Sequence, residues 1–338
     1  MVRMSLQASE HSHLVPSRER LLSWVKSPFW RGRPFVMVNL LRFRRDASSV
    51  STKAARASYK KYTAMLTASN GGKGDVTDGR IVMESYRCHA LFTPTIDADA
   101  VVMVEWSSPE NFLKAVSTPH YMQAHVHRAA ALEATEMVAV QHPGAAFPLK
   151  HDSNLNTFDM RLWMSTVSGA GSLPQTSQQI IAPDGERLGD MFTDTDSGWQ
   201  KGTSEPMHMI NFLQFVRPDG LQSYMEYGKN AAQAVKESAH TGGSKEGDGN
   251  GLLFPMMACA TLLGDTQWDA FAVMGYANLS AFLGLTSNKQ WKAAEHHRER
   301  GLHKQGLVVA CPDTIQHIEG TSKSKRKHAS WKRAPSKL

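Results

Sequence analysis

Arg128 and Arg298 occupy the same place in two matching stretches of the chain. Each falls on a stripe spaced at the helical repeat, Tyr121, Ala124, Arg128 and Leu132 in one stretch, Trp291, Ala294, Arg298 and Leu302 in the other. A cation among such neighbours needs a carboxylate, backbone carbonyls or an anionic ligand, because burying it unpaired is costly. A structural salt bridge is the default reading and anchoring of an anion the alternative. Glu105 is a candidate partner in the first stretch, and its counterpart is Gly275, so that pair would not be duplicated. His127 and His297 precede the arginines and point about 100° away around the helix, which makes packing or hydrogen bonding a better default than base catalysis.

Asn39 and Asn211 each interrupt an apolar strand face. A buried amide must find partners, either by tying backbone segments together or by aiming a donor at a substrate oxygen. Tyr59, Tyr62, Tyr224 and Tyr227 add hydroxyls that can orient a phenolic or carbonyl ligand. No metal site is expected: HYMQAHVH and EHHRERGLH are histidine-rich, but they contain neither HExxH nor histidines paired four apart. Cys88, Cys259 and Cys311 include no CxxC pair. The sequence also lacks GxSxG, GxxxxGK[ST] and a strand-following GxGxxG, which disfavours the hydrolase, phosphate-loop and dinucleotide classes. What remains is an apolar barrel lumen with a few polar groups, suited to a small hydrophobic molecule.

The elements that must position these groups come in duplicate. PFVMVNLLRF (34–43) and PMHMINFLQF (206–215) share five of ten residues at an offset of 172. Met37, Asn39, Leu41 and Phe43 are every second residue, one face of a strand. Asp99 to Leu132 aligns without a gap on Asp269 to Leu302, with nine identities in 34 pairs, where chance gives about two. Between these blocks lie SYKKY and SYMEY, each followed by a glycine pair, Gly71–Gly72 and Gly242–Gly243. Each unit reads β-α-β-β-α-β, the ferredoxin-like plan. In the first unit strands are expected over Arg80 to Phe92, Ala100 to Trp106 and Met137 to Gln141, with a helix from about His120 to Glu133; the second unit repeats this order.

A ferredoxin-like sheet carries helices on one side only, so the second copy is the natural cover for the bare face, and the fold class expected is α+β, two tandem units forming an intramolecular barrel. NLLRF, the Tyr-x-x-Tyr helix, VVMVEWSSPENFLKAV and HRAAAL resemble the DUF1330 group of the dimeric α+β barrel superfamily, the second unit more loosely through NFLQF and HHRERGL. The resemblance implies the fold and a tandem pseudo-dimer. It leaves activity open among cofactor-free monooxygenases, isomerases, haem enzymes and binding proteins. No cofactor is expected from the residues themselves, and a haem on one of the histidines is compatible with the superfamily.

The expected organisation is an N-terminal extension with a short helix at Arg18 to Lys26 (1–33), the first unit (34–142), a partly ordered connector (143–205), the second unit (206–313) and a disordered basic tail (314–338). The 38 Lys+Arg against 31 Asp+Glu give a net charge of +7, yet residues 321–338 alone carry seven basic residues and no acid. The surplus therefore sits at the ends and says little about what the barrel binds. Ser336, Lys337 and Leu338 resemble the import signal read by the peroxisomal receptor, which implies a peroxisome or glycosome matrix. No membrane span is expected, because the longest apolar run, Leu252 to Leu263, is too short.

Two functions compete. One is a barrel that binds a small apolar or carboxylated molecule, as an oxygenase or isomerase, with Arg128 or Arg298 on the anionic end and Asn39 or Asn211, Tyr59 or Tyr224 orienting the rest. The other is a non-catalytic scaffold whose basic tail binds RNA or another acidic partner. A filled lumen with both arginines paired internally would sink the enzyme reading. Association into a further homo-oligomer is left open.

Overall fold

The computed structural model describes residues 14–45, 49–68, 79–92, 96–142, 206–241, 251–286, 288–311 and 314–315. The 143–205 connector, both glycine pairs and the tail with its SKL ending lie outside the described residues.

The first unit contains β1 (Phe35–Phe43), α2 (Ser49–Ala68), β2 (Arg80–Ser85), β3 (Cys88–Phe92), β4 (Ala100–Trp106), α3 (Pro109–Val116), α4 (Pro119–Ala131) and β5 (Leu132–Gln141), preceded by α1 (Arg18–Lys26). The second contains β6 (Met207–Phe215), α5 (Gly220–Thr241), β7 (Gly251–Leu263), β8 (Ala270–Tyr276), α6 (Leu279–Thr286), α7 (Lys289–Gly301) and β9 (Leu302–Ala310), followed by β10 (Thr314–Ile315). Each sheet has the same antiparallel order, β2-β4-β1-β5 and β7-β8-β6-β9.

The long second strand of each unit joins the two sheets. β7 pairs with β8 over its first part, from Gly251 opposite Gly275 to Ala258 opposite Ala270, then crosses to β5, where Cys259 faces Val140. In the first unit this run is broken at Tyr86 and Arg87: β2 stays with β4, and β3 pairs with β9, Cys88 opposite Ala310. A single strand expected over Arg80 to Phe92 is thus two, and together they close the barrel. The fold is the expected tandem α+β barrel.

Strand alternation divides the core. Val36, Val38 and Leu40 turn inward and meet Ile210, Phe212 and Phe271 in one continuous apolar cluster that fills the lumen. Met37, Leu41 and Phe43 turn outward, under the helices. The lumen expected to hold a ligand is therefore packed, because both faces of β1 are apolar and the inner one meets its counterpart across the barrel.

Local signals set the helices. Thr118 accepts from the Tyr121 N–H and Pro119 opens α4; Asn288 accepts from Gln290 and Trp291 N–H at the start of α7. Both helices end two residues earlier than periodicity suggests, at Ala131 and Gly301, since Leu132 and Leu302 are already extended and begin β5 and β9. Asp99 and Asp269 form duplicated clamps. Asp99 accepts from Phe43 N–H (2.8 Å) and Arg45 (2.6 Å), and Asp269 from Phe215 N–H (2.8 Å) and Arg217 (2.6 Å). Their signal in the sequence is the repeat itself, since both aspartates open the gapless block and both arginines keep the 172-residue offset.

Candidate functional site

Between the outer face of the first sheet and helices α2, α3 and α4 lies a cavity of ≈ 40 Å³. At roughly 10–15 Å³ per water it holds about three waters, or the end of a small organic molecule. Its lining includes Asn39 and Met37 from β1, Tyr59, Tyr62 and Thr63 from α2, Val102 and Trp106 from β4, Tyr121 and Arg128 from α4, and Met137 from β5. Three candidates named from the sequence, Asn39, Tyr59 and Arg128, are thus brought together. His127 is not in the lining; its backbone carbonyl accepts from Ser58 Oγ at 3.1 Å. Tyr121 was legible only as a member of the Arg128 stripe, and it is Tyr121 that shares the cavity wall with that arginine.

Arg128 is 3% exposed. Its Nη1 donates to the Leu14 carbonyl at 2.6 Å, and its Nη2 lies 3.8 Å from Met137 Sδ. No carboxylate among the described residues makes an ion pair with it. Glu105, one candidate partner, faces the lumen side of β4, where it joins Arg80 and accepts from His142 at 2.8 Å. His142, first of these influences, and Arg80 hold the Glu105 carboxyl below its ordinary value against the opposing effect of burial. Strand parity explains the correction: Glu105 and Val104 are adjacent, so they point to opposite faces, and Val104 lines the cavity.

Burial drives the phenol of Tyr59 well above its ordinary pKa, with the Arg128 charge pulling the other way. Tyr62 is raised by burial and by Tyr121, whose hydroxyl is 3.5 Å from its own. These groups are therefore protonated at neutral pH and act as donors or acceptors of hydrogen bonds, not as bases. Asn39 is 8% exposed, and its Nδ2 donates to the Met37 carbonyl (3.3 Å) and the Val102 carbonyl (3.2 Å). Of the two roles open to this amide, its donor takes the first and ties backbone segments together, which leaves no N–H to aim at a substrate oxygen.

The second unit uses the same parts differently. Trp291 stands where the first has Tyr121, and packs edge-on to Tyr227 at 5.5 Å. Arg298 lies 5.8 Å from the Tyr227 ring centre, and burial lifts that phenol to about 12 against the arginine's opposing charge. Tyr224, raised by burial, packs on Phe215 and Tyr227. Asn211 Nδ2 donates to the Met209 carbonyl (3.1 Å), and its Oδ1 accepts from Gln305 Nε2 (3.0 Å). The His297 ring lies 3.9 Å from that of His296, tilted by 38°.

Chemically, the first-unit cavity offers a guanidinium, phenol hydroxyls and an amide in an apolar wall, without carboxylate, imidazole or thiol. It does not fit a haem, being too small and having no histidine or cysteine in its lining. Among the described residues no group of histidines, cysteines and carboxylates is arranged to hold a metal, and no helix is long and apolar enough to cross a membrane.

Strand order and pairing define the chain as a tandem, intramolecular dimeric α+β barrel. No family model matches the chain, and no curated protein matches its sequence. Among solved structures it is similar to a protein of unknown function from Rhodopseudomonas palustris (18% identity, 40% of this chain and 97% of that one, TM-score 0.30). It is also similar to a variant chlorite dismutase from Candidatus Nitrospira defluvii (11% identity, 88% and 96%, TM-score 0.38) and an anthrone oxidase-like protein (10% identity, 86% and 97%, TM-score 0.39). The fold assignment stands on this chain's own strand pairing.

Proposed function

We propose that the first unit binds a small, mainly apolar molecule in the cleft between sheet and helices, its oxygen-bearing end toward Arg128 and the tyrosine hydroxyls. The observation that carries this reading is the ≈ 40 Å³ cavity with a buried, carboxylate-free arginine in its wall. The packed lumen counts against a site there. Cofactor-independent oxygenation or isomerisation is the finer reading. The lining has no base, so in such chemistry the molecule binds with its hydroxyl neutral and gives up the proton to solvent, the enolate or phenolate oxygen that forms being stabilised by the Arg128 charge and phenol donors. Kinship with the DUF1330 group is part of the proposal and is supported by NLLRF and the segments that follow it in the first unit.

The rival scaffold reading is favoured by the Arg128–Leu14 bond, which satisfies the arginine internally, and assigns RNA or acidic-partner binding to 321–338. Import through Ser336, Lys337 and Leu338 is a separate proposal, tested by whether a reporter carrying the tail loses matrix localisation on Leu338 deletion. Native mass spectrometry of protein purified from its source tests the binding reading. A small organic adduct released on denaturation is expected; an adduct-free protein that also takes up no small aromatic probe contradicts it.

A further inference from the structure

Resting on that binding reading, we infer that the ligand carries a neutral hydroxyl, of the phenol or enol type, which donates to Asn39 Oδ1. Asn39 is more than nine-tenths buried and lines the cavity. Both hydrogens of its Nδ2 are directed at the Met37 and Val102 carbonyls, which fixes the amide and leaves Oδ1 accepting nothing among the described residues. An acceptor in that position is answered by a donor, either water in the cavity or a ligand hydroxyl that takes the water's place.

The second unit shows the same demand met from within the protein. Asn211 is held by the Met209 carbonyl as Asn39 is by that of Met37, but its Oδ1 is capped by Gln305 Nε2 at 3.0 Å. The residue at the Gln305 position in the first unit is Thr135, 170 residues earlier, on the strand that pairs with β1. Thr135 is too short to cap the amide and turns its hydroxyl to the Leu40 carbonyl at 2.9 Å. One side-chain difference thus opens the acceptor in one half and closes it in the other. A site built around a buried acceptor discriminates strongly against an analogue that lacks the donor.

The test uses the full-length chain labelled with ¹³C at methionine methyls, since Met37 and Met137 both line the cavity. Phenol, anisole and toluene are titrated while those two resonances are followed. Phenol is expected to bind about tenfold more tightly than anisole, the same ring and oxygen without the donor. Thr135→Gln, which copies the cap of the second unit, is expected to remove that preference; Thr135→Val, which leaves Asn39 open, is expected to keep it. Equal binding of phenol and anisole by the unaltered chain overturns the hydroxyl assignment and leaves the cavity reading standing. A preference that persists in folded Thr135→Gln also overturns it, because the donor then goes elsewhere. If none of the three probes moves Met37 or Met137, both the assignment and the binding reading fall.

Discussion

The two halves of this barrel share strand order, aspartate clamps and a buried arginine, yet only a few side chains decide what each does with the space under its helices. In the first, Tyr121, Thr135 and Met137 surround or adjoin a cavity; in the second, Trp291, Gln305 and Leu307 take those places, the larger Trp291 joining the core with Leu307 and the longer Gln305 capping the amide. Function can thus diverge within a duplicated fold without any change in backbone plan. The lumen is common to both halves, and inward residues of each pack against the other unit.

The largest expected effect lies where a polar residue breaks that shared interior. His208 takes the place of Val36, is 6% exposed, and has a ring Nδ1 without a hydrogen-bond partner. Burial lowers its pKa from 6.5 to about 4. The unfolded chain therefore takes up a proton below pH 6.5 that the folded chain refuses, so this contribution to stability is full above pH 6.5 and is lost as pH falls toward 4. The loss is on the order of 3 kcal/mol. His208→Val, giving the second unit the residue of the first, is expected to remove about that much acid sensitivity from urea unfolding measured between pH 7 and 4; an unchanged pH profile would show that His208 is not held neutral.

Next is the helix exit. Arg44 N–H donates to the Ala131 carbonyl and Val216 N–H to the Gly301 carbonyl, both at 3.0 Å, so the two positions are equivalent. A Cβ at Gly301 would lie 2.8 Å from the Gly220 carbonyl oxygen and from Tyr224 N, whereas Ala131 is buried with its methyl in place. Gly301→Ala is expected to lower stability by about 2 kcal/mol through overpacking. Denaturant midpoints comparing it with Ala131→Gly would break the comparison if both variants cost the same.

A smaller effect is expected from Tyr121→Trp, which brings the aromatic of the second unit into the first. It should weaken phenol and anisole alike, by about fivefold, through loss of space, in contrast to a cap at Thr135, which acts on phenol alone. Selective loss of phenol in Tyr121→Trp would move the hydroxyl contact from Asn39 to Tyr121.

Much of the fold was legible because duplication makes spacing informative: the row Met37, Asn39, Leu41, Phe43 and its copy share one strand face, and the second gapless block fixes both helix stripes. The position of the site was not. Val36, Val38 and Leu40 on the other face of β1 are as apolar as the first row, so alternation could not tell lumen from helix side. Nor could spacing find the partner of Arg128, which is a backbone carbonyl 114 residues away and carries no side-chain signature. The role of Asn39 depended on where its Nδ2 points, a fact of backbone geometry.

The central claim is that the first half holds an open site and the second has closed its own. Titrating phenol into the methyl-labelled chain while following Met37 and its counterpart Met209 measures this in one experiment. Saturable movement of Met37 with Met209 unmoved is the expected result; equal movement of both, or movement of Met209 alone, would contradict the account.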